Sequence, residues 1–304
     1  DNSTPKPEEH QDNKQSREEF VRDKSIFREE QEVRQTILSE IEKRLNSNKD
    51  KNEDGKGEGK PGTWSYFEYD FSNTVFFYRV GFSNSYFGVS SNFSGAKFTD
   101  FANFSGAKFT DFADVWSADF SGAEFTEFVD FSGAEFTGLV DFSRAKFIKG
   151  TDFYWSADFS RAKLVEADFS RAEFTGLVNF SGAKFTDFAN FSRAIFTWSA
   201  DFSRAIFTQD AGFYGAAFIK SVIFSKATFQ TDPIFVNIRR GKTYKARFSC
   251  KTDPENYNFE ASNDSPCIIE TEEQEYNGVK FRIPKGAILF DPDEPSEQKD
   301  DNDS

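Results

Sequence analysis

Methionine is absent from the 304 residues, and histidine occurs once, at His10 in a polar stretch. A serine or cysteine nucleophile activated by a core histidine is therefore excluded, as is a metal centre built on imidazole. Cysteine is scarce, and Cys250 and Cys267 are too few for a disulfide-dense scaffold. They leave two readings open: two isolated thiols, or one bridge worth about 3 kcal/mol in an oxidising compartment. The small segment they span favours the bridge. No run comes near the roughly 18 apolar residues that a membrane helix needs. Nor is there a P-loop, a GxGxxG turn, a CxxC pair or a nucleophile elbow. No catalytic residue, cofactor or metal is expected. The missing Met, the polar start and the Cys pair favour an exported chain or the soluble part of a membrane protein. Any membrane attachment would then run through a segment outside this sequence.

Positive charge is also short. The net charge is −14, from 37 basic and 51 acidic residues. Its distribution matters more than its total: residues 291–304 carry −6, while 78–235 carry only −4. A generally basic face is missing, so nucleic acid is not an expected partner.

What is present in excess is phenylalanine, 41 residues of it. Organisation along the chain precedes its explanation. Residues 1–15 have the composition of a disordered tail. Residues 16–46 hold no Gly or Pro, and Ser16 with Glu19 fits a capping box. Phe20, Phe27, Val33, Ile37, Ile41 and Leu45 form a thin helical stripe, which predicts an amphipathic helix, docked on its own domain or used for oligomerisation or tethering. Residues 47–63 read as a flexible linker. Residues 238–290 alternate apolar and polar in short runs and predict a small β cap, with residues 291–304 an acidic disordered tail.

Residues 64–237 are an internal repeat of eleven. NFSGAKFTDFA occurs at 92–102, 103–113 and 179–189, with close variants from Asp119 and Asp130. Two Phe sit five apart and the next follows after six. From Phe82 to Phe235 this register gives 29 central positions, and all are Phe except Val115 and Leu164. Two residues before each centre, 20 positions are Ala and five are Val. One large and one small restricted position, i and i−2, describe the inward face of a short strand. The residue before the centre is Asp or Asn in 12 units, and the one after is Ser or Thr in 20. Those are outward choices. An eleven-residue period also suits a right-handed helical supercoil. Gly at 95, 106, 122, 133 and 182 argues against one, since each costs about 1 kcal/mol in a helix.

Units such as Ala118-Asp119-Phe120-Ser121-Gly122 and Ala200-Asp201-Phe202-Ser203-Arg204 resemble the pentapeptide-repeat pattern A-(D/N)-(L/F)-(S/T)-X, here in a Phe-centred variant with a 5+6 double repeat. The resemblance covers residues 64–237. It implies an all-β solenoid, a right-handed quadrilateral β-helix with four subunits per coil. Extending the spacing back through Phe77, Phe71 and Tyr66 gives eight coils, about 38 Å at ~4.8 Å each. The sixth residue of alternate subunits is expected to form a corner bulge. Trp64, Tyr66, Phe67 and Tyr69 are expected to plug one end and the β cap to cover the other.

The recurring carboxylates, such as Asp119, Asp130 and Asp141, read as caps on local turn backbone rather than as Ca²⁺ ligands. The corner residues Phe101, Phe112, Phe128, Phe188, Trp116, Trp155 and Trp198 either pack on one another or face a partner. With no chemistry left over, the expectation is a non-enzymatic structural or protein-interaction module. A homo-oligomer through the helix or a capped end is a further expectation. The resemblance also implies an alternative, because some pentapeptide-repeat proteins protect DNA gyrase by imitating duplex shape and charge. The weak charge of residues 78–235 speaks against it. A carbohydrate-binding or cell-surface adhesion rod is a third class, and needs a row of exposed Trp and Tyr.

Overall fold

The structure, a computed structural model, describes residues 9–47, 60–110, 116–150 and 154–294. Most of the expected linker and the acidic end lie outside them. The chain divides into two compact units, Asp1–Ile41 and Glu42–Ser304. The first is helical, and the helix runs Glu9–Leu45. It starts upstream of Ser16 because no Gly or Pro interrupts the polar residues before it, so the capping box does not mark its beginning. Lys43 and Arg44 in the last turn complement the helix dipole. Phe20, Phe27, Val33 and Ile37 are each more than half exposed.

The second unit is a four-faced solenoid of stacked coils. Parallel ladders connect each face to the next coil, in sheets of twelve, nine and eight strands, the largest of which joins two faces around a corner. Most strands are two residues long, such as Lys97–Phe98 and Ala102–Asn103. Each contributes little alone; the ladder is repeated down the stack.

The interior is four columns of rings. Face one stacks Phe71, Phe93, Phe120, Phe142, Phe169, Phe191, Phe213 and Phe235. Face two stacks Phe76, Phe98, Phe125, Phe147, Phe174, Phe196, Phe218 and Phe248. Face three stacks Phe82, Phe104, Phe131, Phe159, Phe180, Phe202, Phe224 and Phe259. Face four holds Phe87, Phe109, Phe136, Leu164, Phe185, Phe207 and Phe229. Centroids within a column are typically near 5 Å, as for Phe169 on Phe191 at 5.1 Å with ring planes 1° apart. Rings of neighbouring columns meet edge to face, as Phe93 and Phe104 do at 84°. Offset stacks along the axis and T-shaped contacts across it satisfy both geometries that aromatic quadrupoles favour.

The register differs from the sequence reading in three places. Phe76, only 5% exposed, enters face two, while Phe77 points out at 47%. Adjacent Phe residues made the two indistinguishable by composition. Tyr66 is 51% exposed and outside the columns. Phe93 stacks on Phe120 and Phe131 on Phe159, so these coils carry insertions beyond the usual 22-residue repeat. Val115, counted as a centre from the sequence, lies outside the described residues, and so does Phe153. The eighth layer comes instead from the C-terminal segment, through Phe248 and Phe259.

The turn after faces one and three requires positive φ. Gly95, Gly106, Gly122, Gly133 and Gly182 occupy it at 62–65°, and Arg144, Arg161, Arg171, Arg193 and Arg204 take the same conformation at 57–59°. The Asp or Asn before each Phe caps this turn: the Ser121 amide donates to Asp119 Oδ1 at 2.8 Å, and the Ser181 amide to Asn179 Oδ1 at 2.9 Å. Both residue types serve because the bond needs an acceptor and no charge. On faces two and four Thr replaces Ser, and Thr99 Oγ1 donates to the Phe76 carbonyl of the preceding coil at 3.1 Å. The corner bulges expected from the sixth residue are present between Phe136 and Leu139 and between Trp155 and Ala157.

Ser85 fills an inner small-residue position that is usually Ala. Its hydroxyl is buried without a partner. Ser85→Ala is therefore expected to raise unfolding free energy by about 1 kcal/mol in urea titration, the penalty of an unsatisfied buried hydroxyl.

The C-terminal segment continues the solenoid rather than forming a separate cap. Arg247–Ser249 and Ile288–Phe290 add parallel strands to face two, and Tyr257–Asn258 adds one to face three. Two antiparallel hairpins, Val236–Arg239 with Lys242–Lys245 and Thr271–Tyr276 with Val279–Pro284, branch from this last turn. At the other end Tyr69 stands edge-on to Phe87, at 5.7 Å and 87°, and stacks on Phe71. Leu45 is fully buried there, and the Ser65 hydroxyl donates to its carbonyl at 3.1 Å. Of the expected plug residues, Tyr69 covers rings, whereas Tyr66 and Phe67 are exposed.

Candidate interaction edge

The six-residue subunits make two corners, and the candidate aromatics divide between them. The corner from face two to face three carries Phe101, Phe128, Trp155 and Trp198, while Phe188 and Leu139 lie on the corner from face four to face one. Trp116 is on that second corner, where its backbone pairs with Leu139. Phe112 falls outside the described residues.

The first corner is a continuous edge. Arg79 lies over the Phe101 ring at 4.6 Å, and Phe101 stacks on Phe128 at 5.7 Å. These two rings are partly buried and pack on each other. Next along the edge, Trp155 pairs with Leu177 and is 40% exposed. Tyr154 is 65% exposed and stacks on Trp198 at 6.4 Å; Trp198 is 38% exposed. Lys149 Nζ sits 4.8 Å from the Tyr154 ring and 5.8 Å from Trp198, and Lys220 Nζ 5.9 Å from Trp198. Gly176 permits the close passage beneath: a Cβ there would come within 2.7 Å of the Tyr154 carbonyl, which accepts from the Leu177 amide. The edge thus pairs exposed rings with ammonium groups, a combination able to hold both apolar and carboxylate groups of another protein. Tyr154, Lys149 and Lys220 were not singled out from sequence; their nearness depends on which coil stacks on which.

Elsewhere acidic and basic residues are interspersed along the faces. On face two Glu124 lies between Lys97 and Lys146 in the ladder, and on face four Glu135 lies between Lys108 and Lys163. The Glu135 carboxylate is reached by Lys163 Nζ at 2.6 Å and by Lys108 Nζ at 3.6 Å. Such interspersion cancels charge along the axis instead of building an acidic stripe. The Asp ladder is likewise bounded, Asn92, Asp119, Asp141, Asp168, Asn190 in order on face one. No group of carboxylates, Cys and His among the described residues is arranged to hold a metal ion.

Burial raises the Asp141 carboxyl above its usual range, and Asp168 and Asp119 add to the rise, although the Ser143 amide and hydroxyl oppose it. A raised folded pKa means the folded state binds the extra proton. This contribution favours folding most below the unfolded pKa, and declines as pH rises through the folded pKa. Asp141→Asn keeps the turn cap and removes the charge. It is expected to raise the unfolding midpoint at neutral pH by less than about 1 kcal/mol equivalent. The gain should shrink in acid, which thermal unfolding at two pH values checks.

The bridge favoured from sequence is not formed: Cys250 and Cys267 are free. They lie on different parts of the last turn. Cys250 donates its amide to the Phe290 carbonyl, and Cys267 donates its amide to Phe229 on face four. Sequence proximity within one segment did not reveal that the segment wraps around the solenoid.

Parallel coils stacked by one large residue per face define a structural repeat protein. Residues 93–146, 116–156, 148–195 and 191–239 each match the family model described as pentapeptide repeats in nine copies. The repeat region of this chain belongs to the pentapeptide-repeat family, in a Phe-rich form. No curated protein matches the chain.

Proposed function

We propose that the solenoid is a non-enzymatic scaffold that presents its edge of Tyr154, Trp155 and Trp198 to a protein partner. One observation carries this reading. In a protein that places 30 of its 41 Phe in internal columns, large exposed rings gather with two lysines at one corner. Exposed aromatic groups beside cations are the composition of interface hot spots. The fold itself is one that generally carries no catalysis. Lys interspersed with Glu on faces two and four disfavours imitation of a duplex. The thin apolar stripe of Phe20, Val33 and Ile37 along the helix supports a second role for it in self-association or tethering.

Placing a photo-crosslinking phenylalanine at position 198 tests the edge. In native extract it should give a discrete adduct, absent when the probe sits at Thr126 and weakened by Lys149→Glu with Lys220→Glu. Equal labelling from both positions, or a specific turnover lost on a single surface substitution, would overturn the reading.

A further inference from the structure

A basic cleft opens where the turn corner of face one meets the first hairpin. Its volume is about 480 Å³, within the range of small-molecule sites. Arg171 and Arg193 reach it from successive coils, and Arg239, Arg240 and Lys242 from the hairpin. Among the described residues no carboxylate lines it, in a protein of net charge −14. Among the described residues the four arginines have no carboxylate partner. Two of them are held on rings, Arg193 over Tyr244 at 4.5 Å and Arg239 over Tyr214 at 4.9 Å. Stacking fixes the guanidinium planes and leaves their N–H edges for another acceptor. Converging arginines with no carboxylate partner among the described residues are an unfavourable arrangement that a bound anion relieves.

A second observation points the same way. Tyr214 lines the cleft, is 4% exposed, and its hydroxyl is buried with no hydrogen-bond partner. A buried unpaired hydroxyl costs free energy unless a ligand supplies its bond. The repeat itself is altered at this spot. Face one carries Asp or Asn before the central Phe from Asn92 to Asn190, then Gly212; the residue after the centre is Ser in those coils, then Tyr214. The two changes are coupled, because a Cβ on Gly212 would meet the Tyr214 ring at 3.1 Å. Together they install the phenol and leave no side chain at position 212 to compete for the arginines.

We propose that this cleft binds a small phosphorylated ligand through its phosphate. Arginine forks and a phenol donor match a tetrahedral oxyanion of two negative charges. Isothermal titration of the full chain with inorganic phosphate and with glycerol 3-phosphate, against glycerol and sodium chloride at equal ionic strength, tests it. The expected result is one saturable site per chain for glycerol 3-phosphate, with about tenfold weaker binding in Arg193→Gln and in Arg239→Gln. Arg204→Gln, at the equivalent turn on face three, should bind unchanged. Tyr214→Phe should weaken binding without lowering the unliganded melting temperature, which separates ligand contact from fold. Saturation by inorganic phosphate alone would assign the site to the free ion, and by the ester alone to a phosphorylated molecule; either supports the phosphate cleft. Absence of saturation up to about 10 mM, equal affinity in all variants, or binding of duplex DNA without binding of either small anion would overturn it.

Discussion

Phe142→Ala is expected to lower the unfolding free energy by about 3–5 kcal/mol, measured by urea titration. Phe142 is fully buried, stacked on Phe120 at 5.0 Å and Phe169 at 4.9 Å. It also meets Phe131, Phe136 and Phe159 edge-on at 5.3, 6.1 and 5.4 Å. The cavity has little means of collapse, because the backbone ladders fix the distance between coils. Column neighbours on both sides lose contact at once, which places the loss toward the upper part of the range. Leu at this position should cost less, since face four already accepts Leu164 between Phe136 and Phe185. The same logic separates two adjacent residues at the N-terminal end: Phe76→Ala should cost several times as much as Phe77→Ala.

Phe248→Asp is expected to open the last turn while leaving the central coils folded. Phe248 is buried against Phe218 at 5.0 Å, Tyr257 at 5.3 Å and Phe259 at 5.5 Å. An unpaired carboxylate there costs several kcal/mol. Each coil of a solenoid contacts only its neighbours, so the damage should stay local. Hydrogen exchange should show protection lost at Arg247–Ser249, Tyr257–Asn258 and Ile288–Phe290, with protection kept at Phe147 and Phe174. The newly uncovered layer of Phe213, Phe218, Phe224 and Phe229 should then promote association, visible as a concentration-dependent sedimentation coefficient.

The recurrence of Phe at five and six residues, with Ala or Val two before, was enough to read a β-solenoid and its inward positions, while the four faces per coil were what the resemblance to pentapeptide repeats implied. That pattern is legible because every coil repeats the same steric demand. Phe76 against Phe77 was not legible: both are Phe, and only the ladder to Lys97 and Phe98 distinguishes them. The 27-residue step from Phe93 to Phe120 was hidden for a related reason, since Val115 fitted the spacing by chance. The continuation into residues 238–290 was missed because hairpins separate its strands, so Phe248 and Phe259 fall out of period though they stack in column.

The candidate surfaces were partly legible. Phe101, Phe128, Trp155 and Trp198 stood out as aromatics at the bulge position, and the fold does bring them to one corner. Phe188 fell on the other corner because subunits alternate between them. Lys149 and Lys220 look like any exposed lysines until four coils are stacked. The basic cleft was less visible still: its arginines come from turn positions and from a hairpin that follows the repeat. The signal available was negative, the replacement of Asp or Asn by Gly212 and of Ser by Tyr214 within one unit.

The separation between rings that hold the coils together and rings that face outward is tested most directly by one comparison. Urea unfolding midpoints of Phe174→Ala and Trp198→Ser should be measured side by side. Phe174 is buried between Phe147 and Phe196 at 4.7 and 5.0 Å, and its loss should cost about 3–5 kcal/mol. Trp198→Ser should cost less than about 1 kcal/mol. Equal losses in the two variants would make the edge part of the core, and the division between scaffold and interaction surface would fall.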